Sequence, residues 1–232
     1  MTKEIDIITL FPEMFKGVFG DSIIKRAIDN EILNIRLTQL RDFAFDKHKQ
    51  VDDSPFGGGS GMVLKPEPMF RAVRSVLQNS NSTSRRIIIT DPAGKTFNQD
   101  KAKELSNVDW LIIICGHYEG FDARIYTLAD ELISIGDYVL TGGEIPAMAI
   151  VDAVARMLPN VLGAADSAET DSFFDGVLSY PQYTRPRNFE GMEVPEVLLS
   201  GNHAEIAKWR QLKSQEITMQ RRPDLIFGRE FK

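Results

Sequence analysis

Two stretches between Leu111 and Pro146, LIIICGHYEG and IGDYVLTGGEIP, join apolar runs to glycine-bearing turns, each with a Tyr and a Glu close by. In an open α/β sheet, side chains and free backbone groups converge beyond the strand ends, and ligands dock there. Gly116, Gly120, Gly136, Gly142 and Gly143 would let N–H and C=O groups approach a flat ligand with no Cβ in the way. No lysine or arginine occurs from Ile135 to Pro146. The pattern suits a ligand read by backbone hydrogen bonds, not a phosphate chain held by charge.

Two other glycine-bearing segments imitate phosphate loops. IIITDPAGKT (87–96) ends in Gly94-Lys95-Thr96, but the phosphate-binding motif needs a glycine five residues before Gly94, where Ile89 stands. Pro92 removes a further amide from the nest a phosphate would use. A nucleotide triphosphatase is therefore disfavoured; ATP hydrolysis lost on Lys95→Ala would be its signature. Gly57-Gly58-Gly59-Ser60-Gly61 has no Lys-Ser/Thr after it. It reads as a flexible turn or, with Asp52 and Asp53 upstream, as a loop near a substrate. His48, His117 and His203 are scattered without ligand spacing, so no zinc site is expected and no metal ligand is assigned.

The elements that must position these turns alternate. Strand patterns cover 4–9, 32–38, 86–90, 110–115 and 131–135; helical patterns lie near 20–29, 67–78, 98–105, 119–128 and 144–157. Such βα alternation predicts a mostly parallel sheet with helices on both faces, an α/β fold over residues 1–159. NSNSTS (79–84) is a polar loop. Residues 160–176 show no period and are rich in small and acidic residues, which predicts a flexible interdomain linker. Beyond it, 177–232 forms a small helical C-terminal domain. A helix is expected near 201–219, with Ile206, Trp209 and Leu212 at three-residue spacing and a break at Arg222-Pro223.

Composition fits a soluble globular protein: 43% hydrophobic and 26% charged residues over 232 positions. The single cysteine, Cys115, rules out an intrachain disulfide and closes an apolar strand as a small buried hydrophobe. The chain opens directly on a strand pattern, with no leader and no apolar run long enough to span a bilayer, so a cytoplasmic location is expected. Net charge is −6, yet residues 201–232 hold seven basic and four acidic side chains, +3, leaving −9 for the rest. A basic tail on an acidic body is a solvated helix face or a nucleic-acid contact; it removes the objection that an acidic chain cannot bind RNA.

CGHYEG (115–120) and IGDYVLTGGEIPA (135–147) resemble the cofactor loops of bacterial tRNA (guanine-N1)-methyltransferases. The resemblance continues through ITLFPEMF (8–15), RDFAFDKHKQVDDSPFGGGSGMVLKPEP (41–68), DSFFDG (171–176), YPQYTRP (180–186) and VPEVLLSGNHAEIAKWR (194–210). It runs in order along nearly the whole chain. It implies methylation of the guanine 3′ of the anticodon with S-adenosylmethionine as donor, and a trefoil-knotted sheet that no periodicity would suggest. It also implies a homodimer with each site built from both subunits, dependence on Mg²⁺ with ligands unassigned, and a C-terminal domain that grips the anticodon branch of tRNA.

Carried over residue by residue, the resemblance assigns the cofactor to three groups. The first is Ile89, Thr90 and Pro92; the second is Gly116, Tyr118, Glu119 and Gly120; the third is Ile135, Gly136, Tyr138, Leu140, Gly142, Gly143 and Pro146. It makes Asp171 the base that takes the N1 proton and Arg156 the partner of guanine O6. Each of these two also has a structural reading. Asp171, before Ser-Phe-Phe, could cap a helix, and Arg156, four residues after Asp152 at a helix end, could serve an i,i+4 pair and the macrodipole. Tyr183, Arg185 and Arg187 suit base stacking and phosphate contact, or the docking of a loop. A non-catalytic RNA-binding module of the same fold is the other reading. The chain departs from the common family residues at Asp91 (Ser or Thr in many members), His117 (often Arg) and Ser179 (often an acid).

Overall fold

The computed structural model describes residues 2–163 and 168–228. The chain forms two compact units, Met1–Ala165 and Asp166–Lys232. Residues 164–167 of the expected linker, and Arg229, Glu230 and Lys232 of the basic tail, lie outside the described residues.

The first unit is built on five strands: β1 (Lys3–Thr9), β2 (Leu33–Gln39), β3 (Arg85–Thr96), β4 (Trp110–Cys115) and β5 (Glu131–Ser134). They lie in the order β2-β1-β4-β3-β5, and every pairing is parallel. Four helices of eight or more residues accompany them: α1 (Ser22–Asp29), α2 (Pro66–Val76), α3 (Gln99–Ser106) and α4 (Glu144–Ala155). A parallel sheet must be covered on both faces, which is why β4 reads as an unbroken apolar run. Alternate residues of β4 feed opposite cores. Leu111, Ile113 and Cys115 pack with Ile5, Ile7 and Ile88 against α1, α3 and α4. Trp110, Ile112 and Ile114 pack with Ile8, Ile87 and Ile89 against α2.

One polar cluster is set into this core. Asp6, with no solvent exposure, accepts from Arg36 Nε (3.0 Å) and Nη2 (2.6 Å), Asn79 Nδ2 (3.0 Å) and Trp110 Nε1 (2.7 Å). Four donors satisfy the buried carboxylate, and its hydrogen bond is the main cause that raises the Arg36 guanidinium above its ordinary pKa.

The expected helix over 119–128 is not formed. Tyr118 and Gly120 have positive φ (+62° and +113°), and Phe121 bridges to Leu64, whose N–H donates to the Gly120 carbonyl (2.9 Å). Only Ala123–Leu128 turns, as a 3₁₀ segment, with Asp122 Oδ1 accepting from the Arg124 amide (2.9 Å).

In the second unit the longest element is α5 (His203–Arg221), with Asn202 Oδ1 accepting from the Glu205 amide (3.3 Å). Of the three apolar residues at three-residue spacing, Leu212 is 53% exposed. Each three-residue step lags a full helical turn by about 60°, so the inward stripe runs instead from Ile206 and Trp209 to Ser214, Ile217 and Thr218. Thr218 Oγ1 accepts from the Leu178 amide (2.9 Å) and Ser214 Oγ donates to the Leu178 carbonyl (2.5 Å), tying the segment before it to the helix.

Candidate active-site cleft

The adjacent strands β4, β3 and β5 all end at one side of the sheet, and their turns enclose a cleft of about 430 Å³. It is lined by residues 90–93 within β3, 116–121 after β4, Tyr126, 133–136 at the end of β5, and 138–143 with Pro146 at the start of α4. Thr90, Pro92, Gly116, Tyr118, Glu119, Gly120, Ile135, Gly136, Tyr138, Leu140, Gly142, Gly143 and Pro146 are all brought to this lining. Ile89 is the exception among the expected residues. Its side chain has no exposure and packs in the core on the α2 side, because alternation along β3 turns Thr90, not Ile89, toward the α4 side.

The cleft is made by backbone brought unusually close. The Gly143 amide donates to the Gly116 carbonyl (2.8 Å), and a Cβ on Gly143 would lie 2.1 Å from Thr90 Oγ1 and 2.7 Å from the Gly116 nitrogen. A side chain at Gly143 would separate the two turns. The β3 turn has a second device. Thr90 pairs with Ile133, and Lys95 pairs with Ile133 again, so residues 91–94 leave the ladder as a four-residue excursion. Gly94 closes it against β5, where a Cβ would sit 2.4 Å from the Ile133 nitrogen. Lys95 and Thr96 resume the strand, so Gly94-Lys95-Thr96 forms no phosphate loop.

Asp91 and His117, noted from the sequence only as departures, also line the cleft, as do Ala93, Phe121, Tyr126, Ile133, Ser134, Val139 and Thr141, which were not assigned to it. Asp91 lies on the excursion. Its Oδ2 accepts from the Tyr126 hydroxyl (2.7 Å) and its Oδ1 from the Ala93 amide (2.8 Å). Burial and then the bond to Asp91 push the Tyr126 phenol up to about 12, so it remains a donor. The His117 ring packs 4.8 Å from Phe11 and 4.9 Å from Tyr118, centroid to centroid, and its Nδ1 is buried without a hydrogen-bond partner. Glu144, 2% exposed, accepts from Thr9 Oγ1 (2.7 Å) behind the cleft. Burial, and secondarily Glu144, push the Cys115 thiol well up, which keeps it protonated and inert.

The Gly57–Gly61 segment reaches the rim. Gly61 abuts the Glu119 side chain, and the Glu119 amide donates to the Met62 carbonyl (3.0 Å). Asp52 and Asp53 lie on the short hairpin strand paired with Val63–Leu64.

Arg156 belongs to the first unit and Asp171 to the second. Arg156 is half-buried at the C-terminus of α4, its amide donating to the Asp152 carbonyl (3.1 Å), and it is not part of the cleft lining. Asp171 is half-buried in a turn, not at a helix start, so it caps no helix. The turn is pinned by the Phe173 amide on the Val177 carbonyl (2.6 Å) and by the Ser179 amide on Ser172 Oγ (2.9 Å). In the same unit Arg210 lies over the Tyr180 ring (4.8 Å), and the Tyr183 and Trp209 rings are 6.3 Å apart.

Comparison with known proteins points to one family. The family model described as tRNA (Guanine-1)-methyltransferase TrmD matches residues 3–228. A Dictyoglomus turgidum protein named tRNA (guanine-N(1)-)-methyltransferase is 56% identical over 222 residues, 96% of this chain and 89% of the relative. Proteins of the same name from Staphylococcus haemolyticus and Listeria monocytogenes are 56% and 54% identical over 96% of this chain, covering 90% and 91% of their own lengths. The chain belongs to the tRNA (guanine-1)-methyltransferase family.

Proposed function

We propose that this chain methylates N1 of the guanosine 3′ of the anticodon in tRNA, with S-adenosylmethionine as donor. The observation that carries the proposal is the cleft: backbone-walled at the ends of three adjacent parallel strands, in a chain of this family. No lysine or arginine is among its lining residues, and glycine backbone crowds it. Those features fit a nucleoside-bearing sulfonium with no phosphate. Bound there, the donor supplies an electrophilic methyl group.

The chain's own residues then have three tasks. Guanine N1 is a weak nucleophile until it loses its proton, and Asp171 accepts that proton. The charge left on the base spreads to O6, where the Arg156 guanidinium stabilises it. The glycine turns hold the donor so that its methyl lies in line with N1, which is chiefly a matter of positioning. The tyrosines and arginines of the second unit, Tyr180, Tyr183, Arg185, Arg187 and Arg210, hold the anticodon branch by stacking and phosphate contact.

The proposal includes the trefoil knot, a homodimer with sites shared between subunits, a cytoplasmic location, and the division into 1–159, 160–176 and 177–232. Among the described residues no group of three or more His, Cys, Asp or Glu side chains is placed to hold a metal, so no step is routed through Mg²⁺. No helix there is long and apolar enough to cross a membrane.

The test is methyl transfer from labelled S-adenosylmethionine to two unmodified tRNA transcripts. They differ only in guanine or adenine 3′ of the anticodon. Label confined to the guanine transcript is expected. Donor binding without transfer to either would overturn the proposal and leave a non-catalytic RNA-binding module.

A further inference from the structure

The cleft lining contains two carboxylates, Asp91 and Glu119, and no cationic side chain of lysine or arginine. They are not equivalent. Glu119 is exposed at the rim, with its carboxylate against Gly61, where a Cβ would be 2.5 Å from Oε1. Asp91 is half-buried on the excursion from β3, with one oxygen held by Tyr126 and the other by the Ala93 amide. A carboxylate has about four lone-pair sites, so two remain for a ligand. Water screens the rim charge more than the half-buried one.

Building on the proposed methyl transfer, we infer that Asp91 is a specificity-determining residue: its fixed negative charge makes the cleft favour the cationic methyl donor over the demethylated product. The donor carries a sulfonium, an ammonium and a carboxylate, a net charge of +1. S-adenosylhomocysteine has lost the sulfonium charge with the methyl group and is neutral overall. The two ligands otherwise offer the same hydrogen-bonding groups, so only a charge can separate them strongly. For a separation on the order of 8 Å and an effective dielectric constant of about 20–40, a single carboxylate would favour the charged ligand by roughly fivefold to thirtyfold. Product leaves more readily for the same reason. The Tyr126 phenol, kept protonated by its raised pKa, holds the carboxylate in place without neutralising it.

The experiment measures Kd for S-adenosylmethionine and for S-adenosylhomocysteine by calorimetry on the full chain, in wild type, Asp91→Asn and Tyr126→Phe. Asparagine keeps an oxygen for Tyr126 and removes the charge; phenylalanine keeps the charge. Asp91→Asn should cut the donor-to-product preference fivefold or more while product affinity stays within about threefold. Tyr126→Phe should retain most of the preference. An unchanged ratio in Asp91→Asn, or an equal loss for both ligands, overturns the inference. Wild type that transfers methyl groups with such a result loses only this inference; wild type that binds neither ligand loses the assignment of the cleft as well.

Discussion

Gly143→Ala tests whether the cleft depends on backbone contact. Gly143 has φ −82°, which alanine adopts freely, so the substitution probes sterics alone. The new Cβ would lie 2.1 Å from Thr90 Oγ1, 2.7 Å from the Gly116 nitrogen and 2.8 Å from the Cys115 Cα. Ordinary contact begins near 3.4 Å, and two of the three obstacles are backbone atoms at the end of β4. The turn must therefore move by about 1 Å, and overpacking of that kind costs about 1–3 kcal/mol. At about 2–4 °C per kcal/mol for a chain of this size, the melting temperature should fall by roughly 2–12 °C. The displaced backbone also walls the cleft, so kcat/KM for the donor should fall about tenfold to a hundredfold. Two controls sharpen the outcome. Gly142→Ala meets chiefly the side-chain atoms Glu144 Oε2 and His117 Nδ1, with the Gly116 carbonyl at 3.2 Å, and should cost less. Adding Thr90→Ala to Gly143→Ala removes one obstacle and leaves Gly116, so it should recover part of the loss. A Gly143→Ala protein with wild-type melting and donor affinity would refute the close-approach reasoning.

Asp6→Ala leaves Arg36 with Glu4 as its carboxylate partner (2.8 Å) but removes the acceptor of Trp110 Nε1 and Asn79 Nδ2; urea unfolding should show a loss of about 1–3 kcal/mol. Lys3 is 4% exposed, and burial lowers its ammonium pKa from 10.5 to about 8, partly offset by Asp109. Its folded-state pKa lies below the unfolded one, so between pH 8 and 10.5 the unfolded chain holds more protons and stability rises with pH. The slope is at most about 1.4 kcal/mol per pH unit. The stability of wild type relative to Lys3→Met should rise with pH across that window, and a flat difference would disprove it. Asp171→Ala should lower turnover by about 10²–10⁴-fold in single-turnover assays while donor affinity is largely kept. Normal turnover with reduced thermal stability would make Asp171 a structural residue.

What could be read from the sequence divides along physical lines. Strands buried on both faces announce themselves by composition, as LIIIC at 111–115 does, and glycines beside them mark the turns of the cleft. Elements governed by tertiary contact do not. The 119–128 segment has a helix-compatible composition, yet pairing of Gly120 and Phe121 with Leu64 pulls it out of helix. The excursion at residues 91–94 depends on both flanks of β3 pairing with the same residue of β5, a fact held in the register and not in either segment. Asp91 was therefore noticed only as a departure, and its partner Tyr126 is 35 residues away. Ile89 was assigned to the site by resemblance; alternation along the strand sends its side chain to the opposite core. Arg156 and Asp171 came from resemblance, since a lone Arg at a helix end and a lone Asp in a turn carry no pattern of their own.

The three departures from the common family residues show what that resemblance leaves to the structure. Asp91 is held by Tyr126, and Ser179 shares a hydroxyl contact with Ser172 (3.0 Å), so each is absorbed by a local hydrogen bond. His117 is absorbed by packing, its ring against Phe11 and Tyr118 while Nδ1 is left unpaired. Asp91 and Ser179 sit away from the points where Cβ atoms would meet backbone, Gly143 and Gly94, whereas His117 pairs with Gly142 as an isolated bridge and only its ring departs from the shared wall. A side chain that hangs from a fixed turn can change its chemistry without moving the wall, whereas a Cβ at Gly143 cannot be added without moving it. The cleft can thus acquire a negative charge at Asp91 while keeping the shape that binds its ligand.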